Sequence, residues 1–155
     1  MEVFILQNKK YPVVLSGKSA SLIGARWNSK GTEVIYTAQN RALAMAEVAV
    51  HLTLATLPSN FCMITVFIPN DIPIVTLNPD ILHKDWNVFP ENVQTQKLGD
   101  TLIRENEFAV IRVPSAVVKG EFNFLINPNH KDFKRIKITQ QEDFPFDKRI
   151  FSNDK

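Results

Sequence analysis

One carboxylate stands where the chain shows no obvious use for a charge. Glu47 lies within Ala44-Met45-Ala46-Glu47-Val48-Ala49-Val50, with apolar neighbours on every side. A helix that is apolar all round is usually buried, and an unpaired buried carboxylate is costly. Something must compensate: a partner of opposite charge, an exposed helix edge, or a ligand that needs a negative group beside it. His51 follows one turn later on the same face. That spacing allows a Glu–His pair, and equally a core or surface histidine.

Three further clusters carry chemistry. Arg26-Trp27-Asn28 lies between Gly24 and Gly31, and an arginine fixed beside an indole can act as a rigid anion clamp. A surface arginine next to a core tryptophan has the same local sequence. Tyr36 ends the run Thr32-Glu33-Val34-Ile35-Tyr36, as a core aromatic with a wet hydroxyl or as a ring facing a ligand. Ser115 follows Val113-Pro114, as a turn serine or as a hydroxyl donor.

Other chemistries find no support. None of the five glycines forms a G-x-G-x-x-G turn, and Gly17-Lys18-Ser19 has Pro12 where a phosphate loop needs glycine. His51, His83 and His130 are scattered, without cysteines or paired carboxylates around them, so no metal site is expected. Ser115 is not in a G-x-S-x-G turn. Eighteen Lys and Arg against 16 Asp and Glu give a formal charge of +2, too little to imply direct nucleic-acid binding. The single cysteine, Cys62, sits in an apolar run, which fits a small buried residue in a reducing compartment. No stretch reaches the roughly 20 apolar residues of a membrane span, and the N-terminus lacks the pattern of a secretory leader. The expected location is the cytoplasm.

The elements that must position these groups are short. Strands are expected at Val3 to Leu6, Thr32 to Thr37, Cys62 to Ile68, Phe108 to Val113, Phe122 to Ile126 and Phe133 to Thr139. Cys62 to Ile68 reads as the central one, and Ile74 to Leu77 as an extended piece of an otherwise irregular, proline-rich stretch. Helices are expected at Asn40 to Leu52, capped by Thr37 or Asn40, and at Gln94 to Glu105. Lys10 to Leu22 reads as loop with some short structure. Several strands with two good helices predict an α+β fold, and 155 residues suit one domain spanning 1–155.

Taken in order, the clusters resemble a known family. Gly24-Ala25-Arg26-Trp27-Asn28-Ser29-Lys30-Gly31, then Val34-Ile35-Tyr36-Thr37-Ala38, then Ala42-Leu43-Ala44-Met45-Ala46-Glu47 look like the RES domain. So do Thr95-Gln96-Lys97-Leu98-Gly99-Asp100, Val113-Pro114-Ser115-Ala116-Val117-Val118, Asn123 to His130, and Phe146-Asp147-Lys148-Arg149. The resemblance implies an ADP-ribosyltransferase-like mixed sheet core with a few helices. It implies a toxin of a bacterial toxin–antitoxin pair that cleaves the nicotinamide–ribose bond of NAD, as glycohydrolase or phosphorylase. The alternatives are ADP-ribosyl transfer to a protein and a non-catalytic NAD-binding module. NAD is then a substrate and no cofactor is needed. The partners implied are NAD, inorganic phosphate as an acceptor, and a helix-turn-helix antitoxin that blocks the pocket.

The same resemblance places the family's arginine on Arg26, its tyrosine on Tyr36, its glutamate on Glu47, its histidine on His51 and its serine on Ser115. Glu47 would stabilise the oxocarbenium character that develops on the ribose. Arg26 would hold the diphosphate, and Tyr36 would pack on the nicotinamide or its ribose. Ser115 would donate to phosphate or to the attacking group, and His51 would orient Glu47. Trp27 and Asn28 complete the expected substrate-binding set.

Overall fold

Phe61–Phe67 (β3) is apolar or β-branched throughout, and five of its seven residues are buried. A strand with both faces covered reads as a continuous apolar run, whereas a half-exposed one alternates. β3 pairs antiparallel along the whole of Glu2–Asn8 (β1) on one side. On its other side it meets Lys137–Asp143 (β7), with a register shift between Thr65 and Val66. The remaining strands are Ile35–Ala38 (β2), Ile74–Thr76 (β4), Val110–Pro114 (β5) and Phe122–Ile126 (β6). The structure is a computed structural model that describes residues 1–52 and 59–151.

The seven strands form one sheet in the order β4-β5-β6-β2-β1-β3-β7. Every pairing is antiparallel except β4 with β5. With the helices Lys18–Ile23 (α1), Arg41–Ala49 (α2) and Val93–Glu105 (α3), this is the α+β class and mixed sheet expected. β3 is interior but lies one place from the edge, so its apolar run reflects covered faces rather than a central position. Among the described residues, no helix is long and apolar enough to cross a membrane.

The two-residue period of the strands sorts the core onto two faces. Val3, Ile35, Ile64, Val66, Phe124 and Ile126 fill one face, with Ile72 and Ile136 packed on them. The opposite face carries Leu6, Ala38 and Met63, against which Leu43 and Ala44 of α2 pack. Further along that same face, Ile111, Val113 and Leu125 meet Trp27 and Ile103 of α3. Tyr36 and Ala38, two residues apart on β2, join these two regions. Two helices thus stand on one face of the sheet with β2 between them.

Both long helices begin as their sequences direct. Asn40 caps α2, its Oδ1 accepting from the Leu43 N–H at 2.8 Å, and Asn92 caps α3 by accepting from the Gln94 N–H at 2.7 Å. α2 is shorter than the apolar run suggested, since Val50 closes it in a turn. The second strand starts at Ile35 rather than Thr32, because the Thr32 N–H bonds back to the Ser29 carbonyl and closes a turn.

The expected strand at Phe133 to Thr139 is corrected. Lys131–Arg135 forms a 3₁₀ turn, and the strand runs from Lys137 to Asp143. His130 Nδ1 caps the turn by accepting from the Asp132 N–H at 3.1 Å. Phe133 and Ile136 both pack into the core cluster, and their three-residue spacing suits one face of a 3₁₀ helix. Apolar and basic residues at these positions imitated a strand's alternation over too few residues to separate the two periods.

Candidate active site

Between α2, the end of β2 and the segment before α3 lies a cavity of about 910 Å³, within the size range of small-molecule sites. Arg26, Tyr36, Ala38, Glu47, His51 and Asn123 are on its wall, and Asn87, Phe89 and Glu91 form part of its rim. Four of the residues singled out from sequence therefore face one space: Arg26, Tyr36, Glu47 and His51. The other three, Trp27, Asn28 and Ser115, stand behind that wall, and each is buried.

Glu47 is half-buried on α2. Its Oε1 accepts from the Ser115 hydroxyl at 2.7 Å and from Asn123 Nδ2 at 2.6 Å. The Ser115 oxygen in turn accepts from the backbone N–H groups of Val117 at 3.1 Å and Val118 at 3.0 Å. A hydroxyl has one hydrogen and two lone pairs. With both lone pairs taken by backbone, the hydrogen is directed at the carboxylate. Ser115 thus orients Glu47, the task assigned to His51 from sequence, and its hydrogen is not spent on phosphate or an attacking group. His51 is exposed at the rim, and among the described residues it makes no hydrogen bond to Glu47.

Arg26 is fixed by carbonyl groups rather than by a carboxylate. Its Nη1 donates to Trp86 O at 3.1 Å and to Val88 O at 2.8 Å. Among the described residues no ion pair neutralises it, and Nε and Nη2 keep their donors for an anion in the cavity. The fork is thereby aimed before any ligand arrives, which reduces the ordering cost of binding.

Tyr36 ties this loop to the sheet. Its hydroxyl accepts from the Trp27 N–H at 3.0 Å and donates to Asn28 Oδ1 at 2.8 Å. Asn28 Nδ2 donates to the carbonyls of Ala20 and Thr32 at 2.8 and 3.1 Å, and more weakly to Ser29. Tyr36 therefore presents its ring to the cavity while its hydroxyl holds the backbone beside Arg26. Burial raises the phenol well above its usual value of 10.0. A group whose native pKa is raised loses its stabilising contribution as the pH climbs past its unfolded value. Stability is therefore expected to fall once the pH passes about 10, and Tyr36→Phe should remove that part of the fall. Melting temperatures of both proteins between pH 8 and 12 check this.

Gln96, Gly99 and Asp100 stand in one of the family-like blocks but carry no expected role, and they place the arginine loop from the α3 side. Gly99 packs against the loop so closely that an added Cβ would lie 1.8 Å from the Trp27 carbonyl oxygen. Next to it, Asp100 receives the Ser29 N–H at 3.0 Å and the Ser29 hydroxyl at 2.5 Å. Burial pushes the Asp100 carboxyl up, but the hydrogen bonds from Ser29 and Thr32 and the charge of Arg104 pull it below the ordinary range. Gln96 Nε2 donates to Ala25 O at 2.9 Å. Gln96, Gly99 and Asp100 are three and four apart, hence on one helix face, and this spacing was the available signal. Gly24, at φ +75° and ψ 158°, turns the chain into the loop in a conformation open in practice only to glycine.

Comparison with known proteins follows the same blocks. Residues 6–147 match the RES domain. Over 138 residues the chain is 33% identical to the Prs ADP-ribosylating toxin of Sphingobium sp. (strain YBL2), covering 88% of this chain and 86% of that protein. It is 34% identical over 153 residues to Toxin Res of Photorhabdus laumondii subsp. laumondii, covering 97% of each. Its fold is similar to that of a chain in the crystal structure of the M. tuberculosis MbcT–MbcA toxin–antitoxin complex, with a TM-score of 0.77 at 19% identity, over 97% of this chain and 86% of that one. Matched along most of its length, and about one-third identical to full-length relatives, the chain belongs to the RES-domain family.

Proposed function

We propose that this protein is the toxin of a toxin–antitoxin pair and acts by breaking the nicotinamide–ribose bond of NAD. The observation that carries this reading is Glu47: a carboxylate on a cavity wall, with one oxygen held by Ser115 and Asn123. As the C–N bond breaks, its electron pair leaves with nicotinamide and neutralises the pyridinium ring. Positive charge then develops on the ribose, where a preorganised carboxylate is worth most. Glu47 stabilises that charge, Arg26 holds the diphosphate through its free donors, and the Tyr36 ring packs beside the nicotinamide riboside. The acceptor oxygen, of water or phosphate, bonds to the ribose carbon and releases its proton to solvent.

A second reading, transfer of ADP-ribose to a protein side chain, uses the same bond-breaking step. It is favoured by the 33% identity to a relative named an ADP-ribosylating toxin. The antitoxin partner, taken to be a helix-turn-helix protein covering the cavity, draws on the likeness to a fold solved in a toxin–antitoxin complex. The site of action is the cytoplasm, where NAD is supplied.

Chromatography of NAD incubated with the purified protein, with and without phosphate, tests the reading. Free nicotinamide is expected, with ADP-ribose if water is the acceptor and with its 1″-phosphate if phosphate is. Label from NAD carried onto a lysate protein would select the transfer reading. Intact NAD without protein labelling would overturn both.

A further inference from the structure

Among the described residues, three aromatic rings line the cavity: those of Phe4, Tyr36 and Phe89. Two of them are engaged. The Arg41 guanidinium lies over the Phe4 ring, 5.1 Å from its centroid, and Tyr36 is tied by its hydroxyl to Trp27 and Asn28. Phe89 is 76% exposed at the rim, and among the described residues neither a ring nor a cation stacks on it. A lone exposed phenylalanine needs no explanation by itself, but this one is fixed beside the anion clamp. Its neighbour Val88 supplies a carbonyl that holds Arg26 Nη1 at 2.8 Å. On the other segment that meets there, Ile23 is 75% exposed on the cavity wall, three residues before Arg26. Glu91 shares the rim with Phe89, and among the described residues no ion pair neutralises it. A bare carboxylate repels a second anion, so a neutral flat group fits this part of the rim better than another phosphate.

We infer that Phe89 is the platform for the adenine of NAD, the base stacking on its exposed ring. The inference rests on the proposed NAD cleavage, and within it on Arg26 holding the diphosphate. The diphosphate joins two halves, nicotinamide riboside and adenosine. Glu47, on the α2 side of the cavity, takes the first. Adenosine then leaves the clamp in the other direction, toward the segment before α3, and its base follows one sugar later. Phe89 is the free aromatic ring on that side. Stacking uses the face of the base and needs no hydrogen-bond pattern, which suits an open rim. The contact holds the substrate at the end remote from the breaking bond.

A cycle in protein and substrate tests this. Nicotinamide mononucleotide has the reacting bond and a phosphate but no adenosine. kcat/KM is measured on NAD and on the mononucleotide for the native protein and for Phe89→Ala. The variant is expected to lose about tenfold on NAD, the size of one base–aromatic stack, and to cleave the mononucleotide as the native protein does. Phe89→Trp should restore the NAD value, because any π-face serves. Equal losses on both substrates would overturn the inference and leave Phe89 as part of the support of Arg26. No loss on either would overturn it as well. Melting establishes that the variant folds, and Phe89→Leu takes its place in the cycle if it does not. Where either substrate is not cleaved, calorimetric Kd values for the same two ligands decide the role of Phe89. A native protein that cleaves no NAD would overturn the proposed function rather than this contact.

Discussion

Glu47→Gln is expected to fold normally and to lower NAD turnover by at least about a hundredfold, which corresponds to ~2.7 kcal/mol of transition-state stabilisation. Glutamine keeps the size of the side chain, and its single oxygen can still accept from Ser115 and Asn123. Those two donors hold the amide in a fixed sense, so its NH₂ takes the place of the second carboxylate oxygen. The variant then presents a partial positive charge where a negative one would meet the developing oxocarbenium. The effect should fall on kcat, with KM for NAD little changed, because the interaction strengthens only as the bond breaks. Steady-state kinetics on folded protein, confirmed by melting, make the comparison. Turnover close to that of the native protein would remove Glu47 from the mechanism.

Gly99→Ala should produce the largest effect among changes outside the cavity. The new methyl would sit 1.8 Å from the Trp27 carbonyl oxygen, a distance that neither backbone can accept. Either α3 moves away or the Arg26–Asn28 loop does. Forced overpacking costs about 1–3 kcal/mol, which lowers the melting temperature of a chain of this size by roughly 2–12 °C. Because the displaced backbone adjoins Arg26, affinity for NAD should also drop, by about tenfold if one charge-assisted contact is lost. Thermal unfolding and NAD titration on one preparation test both parts. A variant unchanged in both would show that α3 does not position the loop.

The parts of this fold that could be read in advance are those where one local signal dominates. Phe122 to Ile126 was delimited correctly because Asn127-Pro128 stops it. The start of α2 is legible from Asn40, since an N-cap is a contact within three residues, whereas its end at Ala49 falls short of the expected Leu52, and α3 is found within a residue of the expected Gln94 to Glu105. Phe133 to Ile136 failed because a turn of 3₁₀ helix and a short strand place apolar residues almost alike. The site shows the same division. Glu47 announced itself as a charge among apolar neighbours, and Arg26 and Tyr36 by their chemistry. Asn123 and Gly99 did not, because their importance lies in what faces them: Glu47 is 76 residues from Asn123 in the chain, and the Trp27 carbonyl approaches a glycine that resembles any other. Ser115 was found for its hydroxyl but given the wrong neighbour, since nothing local reveals that Val117 and Val118 would occupy its lone pairs.

The groups that hold the Glu47 carboxylate lie 68 and 76 residues further along the chain. β6, which carries one of them, enters the sheet between β2 and β5. A ribosome that has made α2 has therefore made the glutamate without the means to aim it. In the proposed mechanism a chain that lacks β6 has no aimed carboxylate, so cleavage of NAD begins only once β6 has been made and has paired into the sheet.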